Sequence, residues 1–181
     1  MRLAVALAVI AVSAVAAPAS AGEVIIGAGV GYGTKIEMPG LQLGGYYAFA
    51  GKLANLRVGG DIDGFMPNSD RGVGGEGKVT WFDVNLNAHY LIPGLPEDSP
   101  FSVYALGGLS LAIVHASFTY DEGVNQRDLS ETEAKPGVNL GAGAEYDIKF
   151  AAAYFEGKYV ISSADQLVVF LGLRFALPTG Q

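Results

Sequence analysis

The sequence contains no cysteine and little charge. Only 16% of its 181 residues are Asp, Glu, Lys or Arg, against about 25% in an ordinary soluble domain. The absence of cysteine excludes disulfides, thiolate metal ligands and cysteine nucleophiles. The formal net charge of −7 excludes general nucleic-acid binding, which requires a basic surface. Because the two histidines are far apart in the sequence, neither a metal site nor a cofactor is predicted.

Long hydrophobic runs are confined to the first residues of the chain. Met1 and Arg2 give a positive start, an apolar run follows, and small residues stand at Ala19 and Ala21. This pattern predicts a secretory signal peptide over residues 1–21. No stretch of 18 consecutive apolar residues occurs in residues 22–181, so we predict one domain there and no transmembrane helix.

Apolar residues alternate with small or polar ones throughout residues 22–181. Such alternation is typical of strands that lie between two different environments. Eight runs show it: 24–32, 41–49, 56–62, 82–90, 103–113, 140–148, 155–161 and 167–175. Short turns alternate with longer connections, which we place at 34–39, 66–76, 121–135 and 162–166. An even number of strands joined in this way predicts a closed up-and-down barrel of eight antiparallel strands.

The apolar face of these strands is predicted to be the outer one. It is aliphatic in the middle and aromatic near its ends, as expected for a surface that faces lipid. The predicted aromatic girdle consists of Tyr32, Phe49, Phe82, Tyr90, Tyr146, Phe155 and Phe175. A soluble periplasmic ligand-binding barrel, with its apolar face inside, is an alternative. The opposite face of the last strand, with Val168, Phe170 and Gly172, is unsuited to water and argues against it.

The chain resembles the small outer-membrane barrels of the OmpA, OmpX and opacity-protein type. The resemblance rests on the signal peptide, on the glycine-rich opening strand 24–32, on the strands 140–146 and 155–159, and on the closing strand 169–175. It implies a bacterial outer-membrane location and insertion by the barrel-assembly machinery. Outer-membrane lipid and lipopolysaccharide are then the expected surroundings of a monomer. The resemblance does not imply one activity, because the members of this family differ in function.

Charged residues on the inner face predict a polar network that plugs the lumen. Buried charges persist only where they are paired and hydrogen-bonded, and an eight-stranded lumen is narrow enough for long side chains to meet. The predicted network contains Arg57, Asp61, Asp83, Glu145, Asp147, Glu156, Lys158 and Arg174. A structural or surface-interaction role follows from a plugged lumen. A narrow pore for ions or small solutes is the alternative, and the excess of lumenal acids would make it prefer cations.

A lipid A-modifying enzyme is a further alternative. His115 and Ser117 share one face of the fifth strand, and acidic residues follow in the connection 121–135. We interpret His115 as an interfacial residue and predict no enzyme. We interpret residues 121–135 as a solvated acidic loop that is available to an extracellular partner or to divalent cations, although it contains no recognised calcium motif.

Overall fold

The computed structural model describes residues 22–72, 75–96, 98–122 and 125–177. The predicted signal peptide and residues 178–181 lie outside this part of the chain. The described chain forms eight strands: β1 (Glu23–Gly33), β2 (Met38–Ala48), β3 (Leu56–Gly72), β4 (Gly75–Leu91), β5 (Phe101–Glu122), β6 (Asn125–Asp147), β7 (Ala152–Ser162) and β8 (Gln166–Leu177). A short 3-10 turn at Gly51–Leu53 lies between β2 and β3. No helix within these residues has the length and hydrophobicity needed to cross a membrane.

The strands close into one barrel in chain order, with every neighbouring pair antiparallel. The last strand, β8, pairs with β1 from Val24 opposite Leu177 to Gly33 opposite Val168. Closure leaves neither β1 nor β8 with an unpaired edge, because each of them pairs with a neighbouring strand on both sides. The predicted eight-stranded, all-antiparallel barrel is confirmed.

The two ends of the barrel differ. At the end that we call the turn end, the connections are 49–55, 92–100 and 148–151. Lys149 takes a positive φ of 79° in the last of these, and its N–H is held by the side chain of Asp147 at 2.7 Å. At the opposite end, β3 to β6 continue as two long hairpins. We call that end the ribbon end.

The sequence interpretation was wrong about the connections at the ribbon end. Residues 66–76 and 121–135, expected as loops, belong almost entirely to strands, because the β3–β4 pairing continues to Gly72 and the β5–β6 pairing to Glu122. The connection predicted at residues 34–39 is also too long, since β2 begins at Met38. The reason is that ladder hydrogen bonds do not require an apolar face, so pairing continues where the hydrophobic alternation ends. A register shift between Phe65 and Asn68 accommodates Pro67 in β3.

The outer surface carries an aliphatic band with aromatic residues toward its ends. Leu43, Val30 and Leu171 are more than half exposed in the middle of their strands. Among the predicted girdle residues, Tyr32, Phe82, Tyr90, Tyr146 and Phe155 are exposed, whereas Phe49 and Phe175 are half-buried. Phe49 lies just beyond the end of β2, where its ring and that of Tyr47 form a T-shaped pair with centroids 5.1 Å apart. The outward direction expected for the apolar face is therefore observed.

Glycine makes room for bulky lumenal side chains beside the closing seam. Gly29 and Gly172 lie opposite each other on β1 and β8, and the ring of Tyr154 covers both. A Cβ atom on Gly172 would overlap the carbonyl oxygen of Ala28 and the Tyr154 ring. By contrast, a Cβ atom on Gly107, which faces outward from β5, would meet no heavy atom within 4 Å.

We therefore expect Gly172→Ala to destabilise the barrel and Gly107→Ala to leave it unchanged. The first substitution forces β8 away from β1 or displaces Tyr154, and overpacking of this kind costs about 1–3 kcal/mol. The measurement is the temperature at which the folded, faster-migrating form disappears from a detergent gel. Equal transition temperatures for the two variants would contradict the close approach at the seam.

Candidate functional site: the charged lumen and its two mouths

The lumen near the turn end contains an alternating chain of charged side chains. Arg174 on β8 binds Glu145 on β6 through Nη1 and donates from Nη2 to Glu156 Oε2 on β7 at 2.8 Å. Arg57 on β3 donates from Nη1 to both oxygens of Glu145 at 2.8 Å. Glu156 is fully buried, and Arg174 and Glu145 are almost so. Each carboxylate therefore has a cationic partner where water has little access.

Tyrosine rings hold Arg174 in place. Its guanidinium lies 4.2 Å from the centroid of Tyr154 and 5.2 Å from those of Tyr46 and Tyr104. Arg174 also donates to the Tyr104 hydroxyl at 3.0 Å, and that hydroxyl donates to Glu156 at 2.7 Å. Aromatic faces favour a desolvated cation by about 2 kcal/mol or more. Lumenal tyrosines thus supply the enclosure that a buried arginine requires.

A second cluster surrounds Lys158 on β7. Its ammonium group is fully buried and donates to Asp61 Oδ1 at 3.0 Å and to Asp63 Oδ2 at 2.7 Å. Asn85 Nδ2 donates to the same two carboxylates at 2.8 and 3.0 Å, and Asn87 donates to Asp61 at 2.8 Å. These groups come from β3, β4 and β7, so the cluster ties opposite walls of the barrel together.

The two clusters contain more acid than base. Five buried carboxylates (Asp61, Asp63, Asp83, Glu145 and Glu156) face the three cations Arg57, Lys158 and Arg174. Asp83 accepts a hydrogen bond from Trp81 Nε1 at 2.7 Å. The electrostatic field of this lumen disfavours anions.

His89, on β4, fills the space between the tyrosines. Its ring lies 4.4 Å from that of Tyr46 and is stacked 4.6 Å from that of Tyr104. Its Nε2 atom is 3.8 Å from Glu156 Oε2, which is beyond hydrogen-bonding distance. His89 therefore fills space in the lumen by packing its ring against the two tyrosine rings.

Toward the ribbon end the lumen becomes apolar. Phe65, Trp81, Val168 and Phe170 are buried and pack together, and Met38, Ala112 and Val160 belong to the same cluster, which reaches down to the ring of Tyr154. We call this cluster the apolar plug. It lies directly above the Lys158 cluster, because Phe170 is 5.5 Å from Lys158 Nζ and Trp81 is bonded to Asp83. Side chains therefore fill both halves of the lumen, with charge below and hydrocarbon above.

The structure brings together most of the residues that the sequence nominates for the lumen. Arg57, Glu145, Glu156 and Arg174 are in contact in the first cluster, and Asp61 contacts Lys158 in the second. Asp83 is buried beside the second cluster but bonds to Trp81. Asp147 was wrongly included: it is exposed at the end of β6, where it caps the turn at Lys149. The strand ends there, so Asp147 is outside the enclosed lumen.

Several lumenal residues were missing from the nominated set. Tyr46, Tyr104 and Tyr154 enclose Arg174, and Gln42, Asn85, Asn87 and Asn139 form further hydrogen bonds within the lumen. The signal that identifies them is the same alternation, since each stands at an inward position of its strand. They were overlooked because tyrosine and amide side chains are as common on outer surfaces as in cores.

Among the residues considered for hydrolysis, those whose side chains the structure describes do not assemble into a catalytic set. His115 Nδ1 shares a hydrogen bond of 2.8 Å with Thr132 Oγ1. Strand alternation puts His115 and Ser117 on the outer face of the β5–β6 hairpin and Glu131 and Glu133 on its inner face. Glu133 pairs with Lys135 at 2.9 Å. The side chain of Glu122 lies outside the described residues.

The barrel has a mouth at each end. At the turn end, a cavity of about 390 Å³ is lined by polar groups that include Arg57, Glu145, Asp147 and Lys149. At the ribbon end, a larger cavity of about 790 Å³ lies above the apolar plug, lined mainly by apolar side chains of β2, β4, β5 and β6. We call the second cavity the cup.

The shorter connections beside the cup are tied to each other. Asp165, between β7 and β8, accepts from Tyr159 Oη at 2.5 Å and from Lys35 Nζ at 2.9 Å. These hydrogen bonds hold the pKa of Asp165 below its ordinary value, and the one from Tyr159 has the larger effect. Lys35 is thereby fixed next to Ile36, which lines the cup.

Replacing Arg174 by methionine is expected to lower the free energy of unfolding by about 3–5 kcal/mol, because Glu145 and Glu156 would lose a buried cationic partner. The matched control is Lys35→Met, which removes an exposed, solvent-screened ion pair and is expected to change the stability little. Urea unfolding of the refolded protein in lipid vesicles provides the comparison. A loss no larger than that of the control would show that the lumenal network contributes little to stability.

Comparison with known proteins agrees with this architecture. The family model described as "Outer membrane protein beta-barrel domain" matches residues 4–173. No curated protein matches the sequence significantly. Among solved structures, a major outer membrane protein from Thermus thermophilus is 13% identical, with a TM-score of 0.69 over 87% of this chain and 100% of that chain.

The attachment invasion locus protein Ail of Yersinia pestis is also similar. It is 16% identical, with a TM-score of 0.56 over 86% of this chain and 97% of that chain. A second structure of Ail, in complex with the heparin analogue sucrose octasulfate, gives a TM-score of 0.57 at the same identity and coverage. At these identities the likeness shows the shared fold. Since the family model matches most of its length, the chain belongs to the outer-membrane protein beta-barrel domain family of the bacterial outer membrane.

Proposed function

We propose that this protein is a sealed, non-enzymatic barrel that anchors a rigid extracellular ribbon for contact with other surfaces. Outer-membrane barrels have short periplasmic turns and longer extracellular loops, so the ribbon end is taken as the outer one. Insertion by the barrel-assembly machinery, contact with lipopolysaccharide and a monomeric state remain predictions.

The observation that carries the proposal is the unequal length of the strands. The four strands β1, β2, β7 and β8 have 11 or 12 residues, close to the about 9–11 that cross a bilayer. In contrast, β3 and β4 have 17 residues each, β5 has 22 and β6 has 23. The excess forms the ribbon, which we define as the segments 66–72, 75–80, 114–122 and 125–134. Ladder hydrogen bonds make it stiffer than a loop and suited to presenting a surface.

The filled lumen supports an anchoring role over a pore. An ion would have to displace the charged clusters and then cross the apolar plug, whose hydrocarbon side chains do not replace its hydration shell. The separation of His115 and Ser117 from Glu131 supports a non-enzymatic role over lipid A modification.

The charge of the ribbon favours a cationic partner. Residues 121–135 contain five acids and two bases, and the whole chain carries a net charge of −7. Ail is described in complex with a sulfated sugar, but polyanions are electrostatically unsuited to the acidic segment of this chain. Basic proteins, or divalent cations that bridge to phosphate groups, fit it better.

The sealed lumen predicts that the purified protein gives no steady conductance in a planar bilayer. Phe170→Ala should introduce current flickers, because this substitution opens the plug beside Lys158. Phe155→Ala, which removes an aromatic ring from the outer face, is the matched control and should remain silent. Stable channel openings of the unmodified protein would favour the pore alternative.

Shortening the ribbon should reduce adhesion without unfolding the barrel. Deleting residues 119–128 and joining Phe118 to Leu129 through an Asn-Gly turn keeps the β5–β6 register, since these two residues are already paired. We expect cells that display the variant to bind beads coated with a basic peptide at least ~3-fold less than cells with the full ribbon. Heat-dependent gel mobility checks that the barrel is intact. Unchanged binding, or stronger binding of the full ribbon to heparin beads, would contradict the proposal.

A further inference from the structure

The cup at the ribbon end has the construction of a ligand site. Its volume of about 790 Å³ lies within the about 300–1,000 Å³ of small-molecule pockets. Trp81 and Met38, both buried members of the apolar plug, form its floor. The cup is therefore closed below.

The strand registers define the cup wall. Val79, Ala116 and Glu131 form one row across β4, β5 and β6, and Gly77, Phe118 and Leu129 form the next row. Both rows are at inward positions, because they lie an even number of residues from the buried Trp81 on β4 and Ala112 on β5. Lys78 belongs to the intervening row with Ser117 and Ser130, so its side chain lies on the outer face of the ribbon.

The wall exposes hydrocarbon to the external solution. Leu129 is 61% exposed and Phe118 is 38% exposed. Apolar surface that is concave, continuous with a buried core and exposed to water is typical of binding sites. Among the described residues that line the cup, Glu131 is the only member of the two inward rows with a charged side chain.

We propose that the cup binds a cationic amphiphile, with its hydrocarbon chain on Trp81 and its ammonium group beside Glu131. The apolar floor and wall match the chain, and the carboxylate matches the cation. An aromatic wall also favours ammonium groups, whereas the net charge of −7 disfavours an anionic head group. The cup forms part of the outer surface, so this inference rests on the proposed surface role and specifies one ligand class for it.

The protein contains its own reporter for this site. Trp81 is the only tryptophan of the chain, and it forms the cup floor. A brominated dodecyltrimethylammonium, added below its micelle concentration to the refolded protein in phosphatidylcholine nanodiscs, should quench Trp81 fluorescence saturably. Brominated dodecyl sulfate, with the same chain and the opposite charge, should bind at least ~10-fold more weakly.

Three variants separate cup binding from partition into the lipid. Ala116→Phe fills the cup and should weaken binding at least ~10-fold, whereas Ala134→Phe, at an outward position of β6, should leave it unchanged. Glu131→Gln should weaken binding of the ammonium probe about 3-fold, the effect of one exposed ion pair, and strengthen binding of the sulfate by a similar factor, because the repulsion by the carboxylate is removed.

Equal quenching in Ala116→Phe and the unmodified protein, or equal affinity for the two probes, would overturn the inference. The ribbon shortened after Phe118 retains both rows of the wall and should still bind the probe. The quenching experiment therefore tests the cup proposal alone. The adhesion proposal is tested separately, by the binding of cells with the full or the shortened ribbon to beads coated with basic peptide or heparin.

Discussion

The pairing of β8 with β1 is the constraint on which the rest of the structure depends. In a bilayer an open sheet would leave two edges of unpaired N–H and C=O groups, each costing several kcal/mol. Closing the sheet with eight strands removes these edges and fixes a narrow lumen. Every inward side chain must then fit against those of the opposite wall. The lumenal contacts and the paired glycines at the seam follow from this confinement.

Confinement also explains why charge and aromatic rings occur together inside the barrel. A lone Arg174 in this space would be strongly destabilising, so carboxylates from two strands neutralise it and three tyrosine rings replace water around it. Lys158 is neutralised in the same way by Asp61 and Asp63. Since each cluster draws on strands from different walls, the charged groups also act as cross-links.

Much of this arrangement could be predicted from the alternation of the sequence, because a period of two assigns each residue to one face of a strand. That rule correctly placed Arg57, Glu156 and Arg174 inside and Leu171 outside. It did not locate strand ends: Asp147 keeps the inward phase but lies beyond the enclosed lumen. Nor did it extend to the far part of the ribbon, residues 119–128, where the apolar alternation of the sequence is lost although the β5–β6 pairing continues to Glu122.

The division of the lumen into a charged half and an apolar half separates two roles. The charged clusters connect opposite walls near the turn end, whereas the apolar plug presents Trp81 and Met38 at the ribbon end. If the charged clusters extended to the ribbon end, the cup would have a hydrated floor, which would not suit the apolar ligand that we propose. If the plug filled the entire lumen, few interactions beyond the ladder would connect β3 to β6 and β7. The order of the two halves gives one narrow barrel a cross-linked half at the turn end and an apolar cavity at the ribbon end.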